Sequence, residues 1–330
     1  QSTLTGGITN SGSISGGIDG IGLRSSTLEG GITNSGLISG GQYAVSVDST
    51  STLTGGILVT GTSAQFIGDI SAPNVDLTLA SGAAFTNSNA MSLSGVIVSS
   101  GATFNLANAV SSSSNILGNI NVGNGTGYFT NQGTVDVGSR GASATPTITG
   151  NYVQDAGGTF KTTVVSDTEY GQMRVTGSAT LAGTAEVAVS GAATALTQGG
   201  TLGGVITADG GVTGEFSSIN TTSSIYTFAG VYSANTFGLV VGAADTNAVA
   251  NNSAQYGTSA ATGAAGAFDQ IATDPGAMAP VLDTLDGMSG QTQADAVEQT
   301  LPVVVGASSM VTAQNQMAFN QVIQSRQAQI

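Results

Sequence analysis

The chain has 330 residues, of which only 7% are charged; glycine numbers 50 and the net charge is −14. An ordinary globular chain carries about 25% charged residues, and a disordered one is charged and poor in branched apolar residues, so neither description fits. Cysteine and histidine are absent, which excludes disulfides, thiolate metal sites and Ser-His-Asp or Cys-His catalysis within the chain. The five basic residues, Arg24, Arg140, Lys161, Arg174 and Arg326, are scattered, so no nucleic-acid partner is expected. An acidic, weakly charged surface argues equally against anionic lipid.

Short β-branched runs separated by Gly, Ser, Thr and Asn predict many short strands joined by tight turns. The stretch from Ser2 to Gly61 repeats itself. Ser2-Thr3-Leu4-Thr5-Gly6-Gly7-Ile8-Thr9-Asn10-Ser11-Gly12 returns from Ser26 to Gly36, and in degraded form from Ser51 to Gly61. The offsets are 24 (Leu4 to Leu28) and 25 (Leu28 to Leu53). A second pair, Leu77 to Phe85 and Val96 to Phe104, is offset by 19. Periods near 20 to 25 with strand composition predict the stacked coils of a solenoid. Alternate residues of a strand share a face, so Leu4, Gly6 and Ile8 point one way. Stacking then builds apolar columns from Leu4, Leu28 and Leu53 and from Ile8, Ile32 and Ile57. Asn10 and Asn34 have the same inward parity and are expected to form an amide ladder, a stacking role and not a ligand contact.

From about residue 150 the pattern shifts to longer strands with aromatics. Tyr152 and Phe160 lead this stretch, and Val175 and Leu181 follow. Phe216, Tyr226, Phe228, Tyr232 and Phe237 cluster near its end, supplying large buried area to close a stack whose last coil would otherwise expose an edge. Gly210-Gly211-Val212-Thr213-Gly214 is expected to turn. Beyond Asp245 the chain becomes alanine-rich and helical. Asp274 before Pro275 and Pro302 mark helix starts, and Val304, Ala307, Val311, Met317 or Ala318, and Val322 recur at helical spacing. No apolar run long enough to span a bilayer as a helix and no signal peptide at Gln1 is visible; the expectation is that targeting and membrane parts lie outside this sequence.

The segments Tyr152-Val153-Gln154-Asp155-Ala156-Gly157-Gly158-Thr159-Phe160, Ser166 to Tyr170 and Val175 to Gly183 resemble the autochaperone region of type V autotransporters. So do Gly210 to Phe216 and the strand from Tyr232 to Leu239. Leu282-Asp283-Thr284-Leu285, Leu301 to Val304 and Asn320 to Arg326 look like the helical stretch that enters the translocator barrel. The repeats are typical of autotransporter passengers. The resemblance implies a right-handed parallel β-helix over 1–150, an autochaperone cap over 151–242 and an α-helical linker over 243–330. It also implies a translocator β-barrel as partner in cis, absent from this sequence, and localisation at a bacterial cell surface, anchored in the outer membrane or secreted. Function would then be secretion-coupled folding and display, with adhesion, self-association or a host or glycan receptor as output.

A β-helix enzyme acting on polysaccharide is the rival reading. Lyases of that class need an acidic calcium cluster with a cationic base, and hydrolases need paired carboxylates. The acids of residues 1–150 are Asp19, Glu29, Asp48, Asp69, Asp76 and Asp136, none close in sequence to another; Asp48 and Asp69 (offset 21) are the pair that stacking could bring together. The turn Gly16-Gly17-Ile18-Asp19-Gly20 departs from calcium-binding spacing, and the nearby Asp167 and Glu169 are read as strand-loop residues. No catalytic residue, metal or cofactor is assigned. A spacer carrying an upstream effector domain is the third reading.

Overall fold

The structure, a computed structural model, describes residues 2–106, 119–139, 145–190, 196–223, 226–242, 247–271, 278–286, 288 and 290–301. The fold is mainly β with parallel sheets, and a few helices follow at the C-terminal end. Asp274, Pro275 and the helix expected from Pro302 onward lie outside the described residues.

The repeats set the register. Ser2–Leu4 pairs in parallel with Ser26–Leu28, and Ile8–Asn10 with Ile32–Asn34, residue for residue at an offset of 24. Each passage of the chain thus lays its strands on the edges of the previous one, forming a rung; the arrangement is compatible with a β-solenoid. One column of inward positions runs through Ile8, Ile32, Ile57, Leu77, Val96, Phe129, Tyr152, Ala179 and Val212. A six-stranded parallel sheet on another face carries Phe85, Phe104, Val135, Phe160, Ala185 and Ile219 in one row. Parallel strands buried on one side need β-branched and aromatic residues at every second position, which is the burial pattern of Thr159–Val164.

Two glycine features let rungs approach closely. A Cβ on Gly30 would run into the backbone N of Gly7, so glycine is required where the first two rungs turn. Gly82 and Gly101 hold φ of +78° and +77°, the left-handed region that favours glycine, and Gly82 N–H donates to Gly101 C=O across the rungs at 3.1 Å.

The early rungs have one face more than the later ones. Ser2–Leu4, Ser26–Leu28 and Thr52–Leu53 make a separate three-stranded sheet that ends at Thr52–Leu53. The next rung is shorter: Ile57 pairs with Leu77 at an offset of 20, where Ile32 pairs with Ile57 at an offset of 25. Its chain crosses the corner directly through Pro73, and the register shifts between Ala72 and Asp76. Proline supplies no N–H to a ladder, which suits it to a position where pairing stops.

Stacking continues across residue 150 without a break, since Tyr128–Asn131 pairs in parallel with Asn151–Gln154. Val212–Gly214 is a strand paired with Ala179–Leu181 and not the expected turn. The turn precedes it, with Gly211 at φ +99°. On one face the parallel order ends at Thr201–Ala208, which pairs in parallel with Met173–Val175 and antiparallel with Thr236–Val241. Phe228–Tyr232 joins the same Thr236–Val241 strand as a hairpin. Among the described residues four helices follow: α1 (Ala248–Tyr256), α2 (Ser259–Ile271), α3 (Ala279–Asp286) and α4 (Gly290–Thr300). No helix among the described residues is long and apolar enough to cross a membrane.

Candidate functional site

Inside the stack, polar and aromatic side chains are organised by register. Asn10 Nδ2 donates to Asn34 Oδ1 at 2.9 Å and to Leu37 C=O at 2.9 Å. Each carboxamide oxygen also accepts a backbone N–H two residues on, Gly12 for Asn10 and Gly36 for Asn34, so each amide pins its own turn and its neighbour. In the next rungs the same inward position is Val59, Leu79 and Val98. It becomes polar again at Asn131 and Gln154. There Asn131 Nδ2 donates to Gln154 Oε1 at 2.8 Å and to Thr159 C=O at 2.9 Å. Tyr152 Oη also donates to Gln154 Oε1, and burial pushes the Tyr152 phenol well above its ordinary range. The composition pattern did not single out this second amide pair, because its two members are different residue types with no repeat to align them.

A row of rings runs beside these amides. Phe66, Phe85, Phe104, Phe129 and Tyr152 are linked by centroid distances of 5.7, 5.4, 5.2 and 5.9 Å, the first three edge-on. Edge-to-face contact sets the positive ring edge against the negative face. The second, shorter repeat held part of this row, since Phe85 and Phe104 are register partners.

The closing region gathers a second ring cluster. Phe216 lies 6.0 Å from Phe160 and 4.9 Å from Phe237, and Tyr232 lies 5.1 Å from Phe237. Tyr232 Oη accepts the Phe216 N–H at 3.0 Å; burial raises its phenol above the usual value, opposed by that bond and assisted by the nearby Glu215 charge. The hairpin tip ties off the last rungs: Val212 N–H donates to Ala234 C=O at 2.8 Å and Ala208 N–H to Asn235 C=O at 2.9 Å. Of the residues expected in the cap, Tyr152, Phe160, Val175, Leu181, Phe216 and Phe237 are buried, while Tyr226, Phe228 and Tyr232 are partly so. Tyr226 packs against both the β core and the helical core.

Of the repeat residues, Leu28, Ile32, Asn34, Leu53 and Ile57 are buried, as is Asn10. Ile8 is partly covered, and Leu4 is 53% exposed because no described rung lies over it.

The helices have a small core of their own, with Val249, Phe268, Leu282, Leu285 and Val297. The buried Asp269 accepts the Val249 and Ala250 N–H groups at 2.9 and 2.8 Å, placing a carboxylate at the positive N-terminal end of α1. Ser223 Oγ donates to Asp286 Oδ1 at 2.8 Å, joining the closing region to α3.

The acids of the early rungs are separated. Asp19 pairs with Arg24 at 2.6 Å. Asp69 accepts the Ala90 N–H and is the register partner of Tyr43, so stacking does not bring Asp48 onto Asp69. Asp48 instead serves a turn. The Ser51 and Thr50 hydroxyls and the Thr50 and Ser25 backbone N–H groups hold its carboxyl down at about 2. Asp136 accepts the Gly138 N–H, and Asp167 accepts the Thr197 N–H. The described cations Arg24, Lys161 and Arg174 each pair with a carboxylate. Among the described residues no group of three or more metal-ligating side chains converges.

No family model matches the chain, and no curated protein or solved structure matches it.

Proposed function

We propose that this chain is a non-enzymatic, surface-displayed passenger stem of the autotransporter kind: a right-handed parallel β-helix whose C-terminal closing region folds first and templates the rungs before it. The observation that carries this reading is the asymmetry of the stack. Parallel rungs run from the repeats to residue 221, and they end in an antiparallel hairpin packed over an aromatic cluster.

The physical logic favours growth from the closed end. A free parallel rung must first meet its loop-closure entropy, whereas a rung laid on an existing edge gains hydrogen bonds and burial at once. The hairpin supplies such an edge from contacts local in sequence, between Phe228–Tyr232 and Thr236–Val241. Burial and backbone pairing then bias the chain toward the folded side of a membrane without an external energy source. The translocator barrel, the outer-membrane location and an adhesive or self-associating output belong to this proposal. The outward Ser, Thr and Asn columns would carry that output.

Pulsed hydrogen exchange during refolding of the full chain tests it. Amides of residues 151–242 are expected to gain protection before those of residues 2–61. Earlier or simultaneous protection of the repeats removes the closing region as nucleus, and with it the secretion reading.

A further inference from the structure

Where the three-stranded face stops at Thr52–Leu53, the molecule has a cleft of about 410 Å³, within the size range of small-ligand pockets. It spans three rungs, bounded by the glycine turn Gly55–Gly56, the corner at Asn74 and Asp76, and Ser94. Its origin is topological. Leu4 C=O accepts Glu29 N–H and Leu28 C=O accepts Thr54 N–H; Leu53 is next in this row, and among the described residues the sheet has no fourth strand to continue it.

Asn74, Asp76, Thr78 and Ser94 all line this cleft. None of these four side chains has a hydrogen-bond partner among the described residues. The aspartates Asp19, Asp48, Asp69 and Asp136, by contrast, each hold a cation or a backbone N–H. The Asp76 carboxylate lies over Gly95, where a Cβ would sit only 3.1 Å from Oδ1, so glycine keeps that slot open. Leu58 adds an apolar surface in the outward column, between Thr33 and Thr78.

We propose that this cleft is a binding site for a neutral oligosaccharide, with Asp76, Asn74, Thr78 and Ser94 as hydrogen-bonding partners and Leu58 under a sugar ring. Four groups lining one cleft, a carboxylate, an amide and two hydroxyls, supply the donors and acceptors that sugar hydroxyls need. A carboxylate with no cation in the described lining disfavours phosphate, sulfate and acidic sugars, as does the net charge of −14. A peptide strand fits less well. The free edge is two residues long, and the glycine pair beside it forms no pockets for alternate side chains. Two rung spacings give the site a length of about 10 Å, suited to a short oligosaccharide.

This proposal deepens the adhesin part of the reading above and rests on it for its biological sense. The test is saturation-transfer NMR and calorimetry on the full chain with neutral trisaccharides of gluco, galacto, manno and N-acetylglucosamine configuration. At least one is expected to bind, about tenfold more weakly to Asp76→Ala and more weakly to Asn74→Ala, with circular dichroism unchanged in both variants. Absence of binding to every trisaccharide overturns the site, as does binding that neither variant weakens. Selective binding of the peptide Ser-Thr-Leu-Thr-Gly in place of sugar overturns it as well. Aggregation of cells displaying the chain is scored separately. If sugar binds through Asp76 but displayed cells neither aggregate nor adhere to glycan-coated surfaces, the adhesin reading falls and the site stands.

Discussion

The two ends of the stack solve the same problem in opposite ways. At the N-terminal end the described rungs finish on a parallel edge, with Leu4 half exposed and Ile8 only partly covered. At the C-terminal end the strand Thr201–Ala208 turns the order antiparallel, and a hairpin seals the core so that Phe237 and Leu239 are fully buried. A parallel rung is an adaptor: it pairs with whatever edge precedes it and presents the same edge again. It propagates structure but cannot terminate it. The hairpin can, because its second strand satisfies the first within a short stretch of chain. On the function proposed above, the closing region would start folding and the repeats would extend it.

The largest test of this contrast is to remove the rings that seal the closed end. Phe237→Ala should destabilise the β domain by about 3–5 kcal/mol, as for a buried aromatic, and Phe216→Ala by a similar amount if its neighbours fail to collapse. Leu4→Ala at the open end should change stability by no more than about 0.5 kcal/mol. Urea unfolding followed by circular dichroism measures all three; equal losses at both ends would erase the distinction.

The amide ladder sharpens the comparison from within the repeats. Asn34→Ala removes one of the two acceptors of the Asn10 amide and the side-chain acceptor of the Gly36 N–H, at a cost of about 1–3 kcal/mol. Replacing Asn10 and Asn34 together by valine, the residue already present at position 59, should recover only the part of that loss due to the Asn10 amide's lost acceptor, because the Gly12 and Gly36 N–H groups then lack their side-chain acceptors. A double-mutant cycle with no recovery would mean that the amides act through something other than mutual satisfaction.

Smaller effects are expected beyond the hairpin and at the repeat turns. Asp269→Ala removes the acceptor for two N–H groups at the start of α1 and should loosen the helices by about 1 kcal/mol, leaving β protection in hydrogen exchange unchanged. Asp48 has a folded pKa of about 2 against an ordinary 3.8. A carboxyl with a depressed folded value contributes stability that is complete above its unfolded value and is lost as pH falls through the folded one. Protection of the turn at Thr50 and Ser51 should therefore decline between about pH 4 and pH 2, and Asp48→Asn should remove that pH dependence. The Asp48 carboxyl is accessible to solvent, so this is the smallest effect of the series.

Much of the repeat architecture was legible in the sequence. The offsets of 24, 25 and 19 are the registers of Leu4 on Leu28, Leu28 on Leu53 and Phe85 on Phe104, and inward parity put Asn10 beside Asn34. Identical residues recur at a fixed spacing there because each rung meets a copy of itself, so the pattern of one strand states the contacts of the next. What tertiary structure alone decided lies where that identity fails. Asn131 on Gln154, Phe216 on Phe237 and the Asp269 cap of α1 join positions that belong to no shared repeat, so no period announces them. The cleft beside Asp76 is the clearest case. It exists because one face of the stack stops, and the end of a face is a property of how rungs of unequal length lie together, not of any residue in them.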